Sequence, residues 1–569
     1  MLDVTIAGGS VVDGTGAARR RADVGIRDGR VVMIGAVDEP ARQTMDADGL
    51  VVAPGFVDIH THYDAQAFWD PALTPSPLHG VTTIVGGNCG FTIAPLAASE
   101  ADYLMRMLAR VEGMPLESLG AGVPWDWQSF ADYLDRLDGT LAVNAGFLVG
   151  HSALRRVVMG ERSHERATDD DVAVMRRMLA ESLTAGGLGF SSSQAPTHND
   201  GDGDPVPSRA ATREELVALS RVVGDHPGTT LEFIPTVGPF SDEHVELMAA
   251  MSSAADRPLN WNVLVVGGGA DTYRAQLEAS DRAAERGGRV VALTVPCVMQ
   301  LHLNFRSGFL FDALPGWGPT MALPDDDKLR ALNDPGVRRR LRESAESDTG
   351  LFRATLRWER LQIGETFAPE NDGLAGRTVG DIAAERGADA FDTLLDVVVA
   401  DDLRTVLMPP ARGDDPESWR RRAEAWRDPR VVVGASDAGA HLDMLSTFSY
   451  STSLLAASRE HELVPLEEAV HLLTDAPARL YGLRERGRLA EGWRADVVVF
   501  DERRVGPGPV HTRYDLPAGA GRLYAEADGV EHVLVNGAEI VDGGKVTEDR
   551  PGSLLRSGQD TETVAVRRR

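Results

Sequence analysis

Apolar and polar positions change rhythm twice along this chain. Near the N-terminus, short apolar runs (Val4-Thr5-Ile6, Ser10-Val11-Val12, Asp23-Val24-Gly25-Ile26 and Val31-Val32-Met33-Ile34) are divided by Asp13-Gly14 and Asp28-Gly29. Apolar runs between Asp-Gly turns predict strands joined as hairpins. The far end repeats the pattern: 495–500 reads as a strand, and 530–535, Asn536-Gly537, 538–541 and Asp542-Gly543 as a hairpin series. Two β segments at opposite ends are predicted to pair into one small domain, because chain ends commonly lie close together.

Between them the period lengthens. Buried-type runs at 141–149, 186–190, 230–234, 259–266, 289–295 and 431–435 alternate with amphipathic stretches such as 169–185. Strand and helix in alternation predict βα units around a parallel sheet. The count is consistent with eight units. Residues 300–430 break the rhythm with Pro, Trp and the basic run Val337-Arg338-Arg339-Arg340, which predicts an insertion or lid.

Composition narrows the class. With 569 residues, 43% hydrophobic and 25% charged, the chain can bury a large core without staples. Its net charge of -28, from 86 acidic and 58 basic residues, argues against a nucleic-acid or anionic-membrane partner. Only two cysteines are present, Cys89 and Cys297, which fits a reducing, cytoplasmic setting. No basic, then apolar, leader opens the chain, and no apolar run is long enough to span a membrane.

The chemistry gathers at predicted strand ends. Residues 56–59 form an apolar strand that runs into His60-Thr61-His62. Residues i and i+2 of a strand face the same side, so both imidazoles can reach one metal ion. A β-branched run, 82–85, leads into Gly86-Gly87-Asn88-Cys89-Gly90, where Cys89 is either a small buried hydrophobe or a thiolate ligand. Its position beside the His pair favours the ligand. Cys297 reads as core. Asp437 follows the buried run 431–435 and is placed to bind metal and to accept a proton from water, or else to cap the next helix. His151 ends the run 147–150 and suits either an oxyanion contact or a structural role. Ser191, Ser192 and His441 are weaker candidates for substrate contact.

These motifs in combination (PGFVDIHTH at 54–62, GGNCG at 86–90, VGH at 149–151, GASDAG at 434–439, and the stretches 473–501 and 535–556) resemble the amidohydrolase superfamily, and within it the N-acyl-D-amino-acid deacylase, or D-aminoacylase, branch. The likeness covers roughly 1–200 and 430–556. It implies a (β/α)8 TIM-like barrel over 55–483. A small β-sandwich from 1–54 plus 484–556 would join it, and a disordered tail, 557–569, would follow. It also implies zinc, a metal-bound hydroxide and hydrolysis of a non-peptide amide, with Asp437 as general base and acid. The branch carries one His at the end of strand five and one at the end of strand six. Here those strands read Thr230-Leu231-Glu232-Phe233-Ile234-Pro235 and Leu259-Asn260-Trp261-Asn262-Val263. His226 precedes strand five and His244 sits at a helix start, so neither fills the gap. One ion held by His60, His62, Asp437 and Cys89 is therefore expected rather than two. Glu232 and Asn262 are weak replacements for a lost ligand or for substrate contacts. A cyclic-amide hydrolase or deaminase on the same barrel, and a metal-free binding protein, remain open alternatives. The expected partner is a small-molecule amide, with a homo-oligomer possible.

Overall fold

The computed structural model describes residues 1–267, 272–308, 310–347 and 356–566. It divides into two compact units. The larger comprises Met1–Cys297, Asp415–Leu442 and Thr447–Arg569, and the smaller Val298–Asp414 and Asp443–Ser446.

Both chain ends of the larger unit enter one nine-stranded sheet. Val51–Pro54 lies at its middle, parallel to Leu2–Val11 on one side and antiparallel to Val497–Phe500 on the other. Val530–Val535 and Ala538–Asp542 continue the sheet as the hairpin that Asn536-Gly537 predicted. Its apolar face buries Val4, Ile6, Val24, Ile26, Val52, Val497, Val499 and Leu534 together.

The parallel strands form two sheets. One holds Phe56–Asp58, Val81–Gly86 and Asn144–Phe147. The other holds Val149–Gly150, Gly189–Ser193, Thr230–Ile234, Leu259–Trp261, Val290–Thr294 and Val431–Val433. The ladders do not close into one ring. Leu148 N–H donates to the Gly86 carbonyl at 3.0 Å where the sheets meet. Beyond the other ends, Asp437 N–H donates to the His60 carbonyl at 3.1 Å, and His62 N–H to the Ala438 carbonyl at 2.7 Å. The helix predicted at 169–185 spans Asp169–Thr184 and starts at a capping box between Thr168 and Asp171.

Residues 557–566 depart from the expected disordered tail. Arg484 N–H donates to the Asp560 carbonyl at 2.8 Å, Glu562 N–H to the Gly482 carbonyl at 2.7 Å, and the Thr561 hydroxyl to the Gly228 carbonyl at 2.6 Å. Polar composition suggested disorder, but these residues satisfy backbone groups that would otherwise lack partners.

The region that broke the sequence rhythm supplies most of the smaller unit. Its core stacks Trp317 on Trp358 at 5.5 Å and packs Phe305 against Phe311 at 4.5 Å. Among the described residues, no helix is long and apolar enough to cross a membrane. Cys89 and Cys297 are both free thiols.

Candidate active site

The strand Phe56–Asp58 ends two residues before His60, and the side chains of His60 and His62 converge. Cys89 Sγ lies 3.4 Å from His60 Nε2 and 3.7 Å from His62 Nε2. Asp437 Oδ1 lies 3.6 Å from His60 Nε2 and 3.1 Å from His62 Nε2. A tetrahedral zinc ion sets nitrogen and oxygen ligands roughly 3.3 Å apart, and nitrogen and sulfur roughly 3.6 Å apart, from its usual bond lengths. His60, His62 and Cys89 form one group at ligand spacing, and Asp437 groups with His62 and Glu112 beside it, so the imidazole-thiol donor set fits zinc.

Charge supports the same fit. Burial, reinforced by Glu232, Glu112 and Asp437, pushes the Cys89 thiol well above its ordinary pKa. A cation reverses that preference and makes the thiolate available. Burial alone would lower His62, yet Glu112, Asp437 and Asp64 raise it to about 9. The pocket thus attracts positive charge. Asp437 behaves oppositely: burial pushes it up, but hydrogen bonds from His60 and His62 and the charge of His441 hold it well below the ordinary carboxylate range.

Local backbone explains how these groups are presented. Cys89 and Asp437 both adopt left-handed φ, 59° and 60°. Such conformations cost on the order of 1 kcal/mol for residues other than glycine and persist where surrounding structure enforces them. Around Cys89 the enforcement is visible. Its N–H donates to Glu232 Oε2 at 2.8 Å, Gly90 N–H donates to Ser191 Oγ at 3.0 Å, and the Ser191 hydroxyl donates to the Gly87 carbonyl. Beside Asp437, a Cβ on Gly439 would meet the His62 carbonyl carbon at 2.7 Å, so glycine is needed there.

Several sequence candidates are thereby placed. Ser191 braces the cysteine turn. Glu232 spends one oxygen on the same turn, while Oε1 is buried without a hydrogen bond, and burial raises its carboxyl to about 8. Asn262 reaches the cluster, with Nδ2 3.3 Å from His60 Nε2 and 3.6 Å from Cys89 Sγ. His441 Nε2 lies 3.8 Å from Asp437 Oδ2. His151 is not brought to the cluster: Nδ1 pairs with Ser192 Oγ at 2.8 Å and Nε2 with Glu215 Oε1 at 2.9 Å. Ser192 is committed to that same pair.

The sequence reading missed Glu112, Asp58, Asp64 and His198. Glu112 follows the helix Ala101–Val111; its Oε1 lies 3.5 Å from His62 Nδ1 and its carbonyl accepts the His441 N–H at 2.5 Å. Nothing in its sequence surroundings marks it. Asp58 and Asp64 continue the two-residue period of His60 and His62, a signal that was available. Asp58 accepts hydrogen bonds from the Ser436 hydroxyl and, at 3.4 Å, from the His60 N–H. Asp64 accepts the Gly87 N–H at 2.9 Å.

Buried imidazoles, a thiol and a carboxylate converging beyond parallel strand ends define the class of a metal-dependent hydrolase. Comparison with known proteins is specific. The amidohydrolase family profile matches residues 43–541, and the chain belongs to that family, hydrolases of carbon–nitrogen bonds other than peptide bonds. It is 30% identical to the D-aminoacylase of Alcaligenes xylosoxydans xylosoxydans over 97% of both chains. A solved D-aminoacylase, described as having a binuclear metal centre with one-metal activation and second-metal attenuation, superposes with a TM-score of 0.64 at 26% identity, covering 98% of this chain and 100% of that one. The N-acyl-D-glutamate deacylase of Bordetella bronchiseptica, complexed with zinc and a phosphonate mimic of the tetrahedral intermediate, gives 0.62 at 28% identity with the same coverage.

Proposed function

We propose that this chain is an N-acyl-D-amino-acid deacylase working with a single zinc ion, on a (β/α)8 barrel carrying a small β-sandwich built from both chain ends. The observation that carries the reading is the convergence of His60, His62 and Cys89 at ligand spacing, with Asp437 set against the same two imidazoles. The relatives' substrates support the acyl-amino-acid class. Two features favour one ion over two. Strands five and six offer Glu232 and Asn262 instead of histidines, and Glu232 has one oxygen engaged by the Cys89 turn.

Zinc bound by these four groups would supply Lewis acidity and bring the pKa of bound water toward ~7. The remaining work belongs to the chain. Asp437 sets Oδ1 against the two ligand histidines and Oδ2 3.8 Å from His441, on a side chain that is partly exposed. From there it accepts the proton of the attacking water and returns it to the leaving amine nitrogen. Glu112 faces His62 Nδ1 at 3.5 Å without a hydrogen bond and places negative charge behind the ring, where carboxylates support ligand histidines. The deaminase and metal-free alternatives lose ground, since every group of the cluster is present and every close relative named above is a deacylase.

The test is metal content with a substrate panel. One zinc per chain and hydrolysis of N-acetyl-D-amino acids over their L-enantiomers are expected. Two tightly held ions would overturn the one-ion reading, and hydrolysis confined to cyclic amides or amidines would overturn the deacylase reading.

A further inference from the structure

Attack on an amide carbonyl leaves a full negative charge on the former carbonyl oxygen, and a buried site needs a donor fixed in advance to meet it. His151, the donor expected from sequence, has both nitrogens engaged. A second imidazole is placed differently. His198 lies in the loop after the fourth strand, Gly189–Ser193. Its ring packs 5.1 Å from that of Phe91, two residues beyond Cys89. The residue is half-buried; desolvation of its ring takes it down to about 3, with the charges of His441, Asp437 and His62 acting on it as well, which favours the neutral imidazole.

The loop is tied down at the same residue. His198 N–H donates to the Ala195 carbonyl at 3.1 Å, and its own carbonyl accepts Val206 N–H at 3.2 Å and Arg209 Nη1 at 3.1 Å. Hydrogen bonding also fixes the tautomer. Ser193 Oγ accepts Ala195 N–H at 3.1 Å and lies 2.8 Å from His198 Nδ1. Ser193 is fully buried, and among the described residues Nδ1 is the acceptor its hydroxyl proton has. Ser193 therefore donates to Nδ1, and the ring proton sits on Nε2. Nε2 itself has no hydrogen-bond partner among the described residues.

We propose that His198 is a further catalytic residue, whose Nε2–H receives the carbonyl oxygen of the scissile amide and stabilises the oxyanion formed there. The proposal rests on the deacylase reading for its substrate. Water oxygen bonds to the carbonyl carbon, its proton passes to Asp437, and the carbonyl π pair moves onto the oxygen facing His198. On collapse that pair re-forms the carbonyl, the C–N bond breaks, and the Asp437 proton goes to the amine. His198 keeps its proton throughout, as a neutral imidazole acting as an electrophile does.

The experiment compares His198→Ala and His198→Gln with the wild-type holoenzyme. The alanine variant is expected to keep its zinc and its KM within about threefold, and to lose about 100-fold in kcat. Its affinity for a phosphonate analogue of an N-acyl-D-amino acid, measured by calorimetry, should fall by a similar factor. Glutamine, which still carries an N–H, should restore part of both. Unchanged kcat and phosphonate affinity would overturn the proposal, as would zinc loss in step with activity, which marks a structural residue. A wild type that hydrolyses some other amide, and loses the same factor in kcat on His198→Ala, would keep the His198 assignment while removing the deacylase reading. A wild type that hydrolyses no amide removes both.

Discussion

Asp437 faces both ligand histidines through Oδ1 and His441 through Oδ2. Metal binding and proton transfer therefore sit on one side chain but on different atoms. Asp437→Asn keeps an oxygen for the ion and loses the basicity. Purified Asp437→Asn should retain most of its zinc and lose turnover by about a thousand-fold; turnover near the wild-type value would remove Asp437 from the mechanism. Glu112 works at one remove. Glu112→Gln preserves shape but withdraws the charge facing His62 Nδ1, so zinc affinity, read by competition with a chelator, should weaken about 10–100-fold with the fold intact. A third residue bears on pH. His79 is buried with Nδ1 2.7 Å from Thr452 Oγ1 and Nε2 3.2 Å from the Ala525 carbonyl, and burial lowers it from 6.5 to about 4. As pH falls through 6.5 the unfolded chain takes up this proton first. The stability held by the neutral ring is complete above that pH and is lost progressively toward 4. The gap is worth roughly 3 kcal/mol. Urea midpoints at pH 7.5 and 4.5 should lie closer together in His79→Gln than in the wild type; equal separations would show that His79 contributes nothing. At this scale His60, His62, Cys89 and Asp437 were legible because each closes a strand with a strong apolar signature. Glu112 and His198 were not, because loop residues reach the site through tertiary folding that no local period encodes.

The element that carries Cys89 is a turn of three residues, Asn88–Gly90, and it has no strength of its own. Its conformation is imposed from three sides, by Asp64 and Glu232 through backbone N–H groups and by Ser191 through its hydroxyl. Gly87 enters the turn at φ 75°, and a Cβ there would stand 2.4 Å from the Leu148 carbonyl oxygen. Gly87→Ala must move the turn, and Cys89 with it. The expected outcome is a folded protein with unchanged far-ultraviolet circular dichroism that loses zinc during dialysis; full zinc retention would mean that the turn relaxes without shifting the thiol. The strands themselves could be read within a few residues. Residues 141–149 were expected as one run and form Asn144–Phe147 and Val149–Gly150, interrupted where the chain passes from one sheet to the next. The region 300–430 was read as an insertion or lid without its elements, because the aromatics that build its core are dispersed: Trp317 just ahead of a four-residue helix, Trp358 in a three-residue turn and Phe391 in Ala390–Ala400.

For the larger unit as a whole, chain ends and site depend on one another. Val51–Pro54 is buried and gains its second neighbour only from Val497–Phe500, so the strand just ahead of the one that ends at His60-Thr61-His62 is completed by residues from the far end of the chain. Such long-range pairing is entropically costly to close, which makes the far end of the chain a determinant of stability. The polar segment after 556 extends the dependence. Gly228 N–H donates to Thr563 Oγ1 at 2.9 Å and the Gly228 carbonyl accepts from the Thr561 hydroxyl at 2.6 Å, so both backbone groups ahead of the fifth strand are satisfied from the tail. Glu562 and Asp560 do the same for Gly482 and Arg484. Composition pointed to disorder because it counts apolar area, whereas this segment is held by hydrogen bonds to groups left over by the core. At about 1 kcal/mol net for each bond, deleting 557–569 should cost roughly 3–4 kcal/mol. In a unit this large that corresponds to a fall in Tm of a few degrees. The comparison should be made at saturating zinc, so that metal linkage is equal in both proteins. An unchanged Tm would show that the tail adds nothing to stability. A fall accompanied by unchanged kcat would place its contribution in the scaffold and leave the metal site untouched.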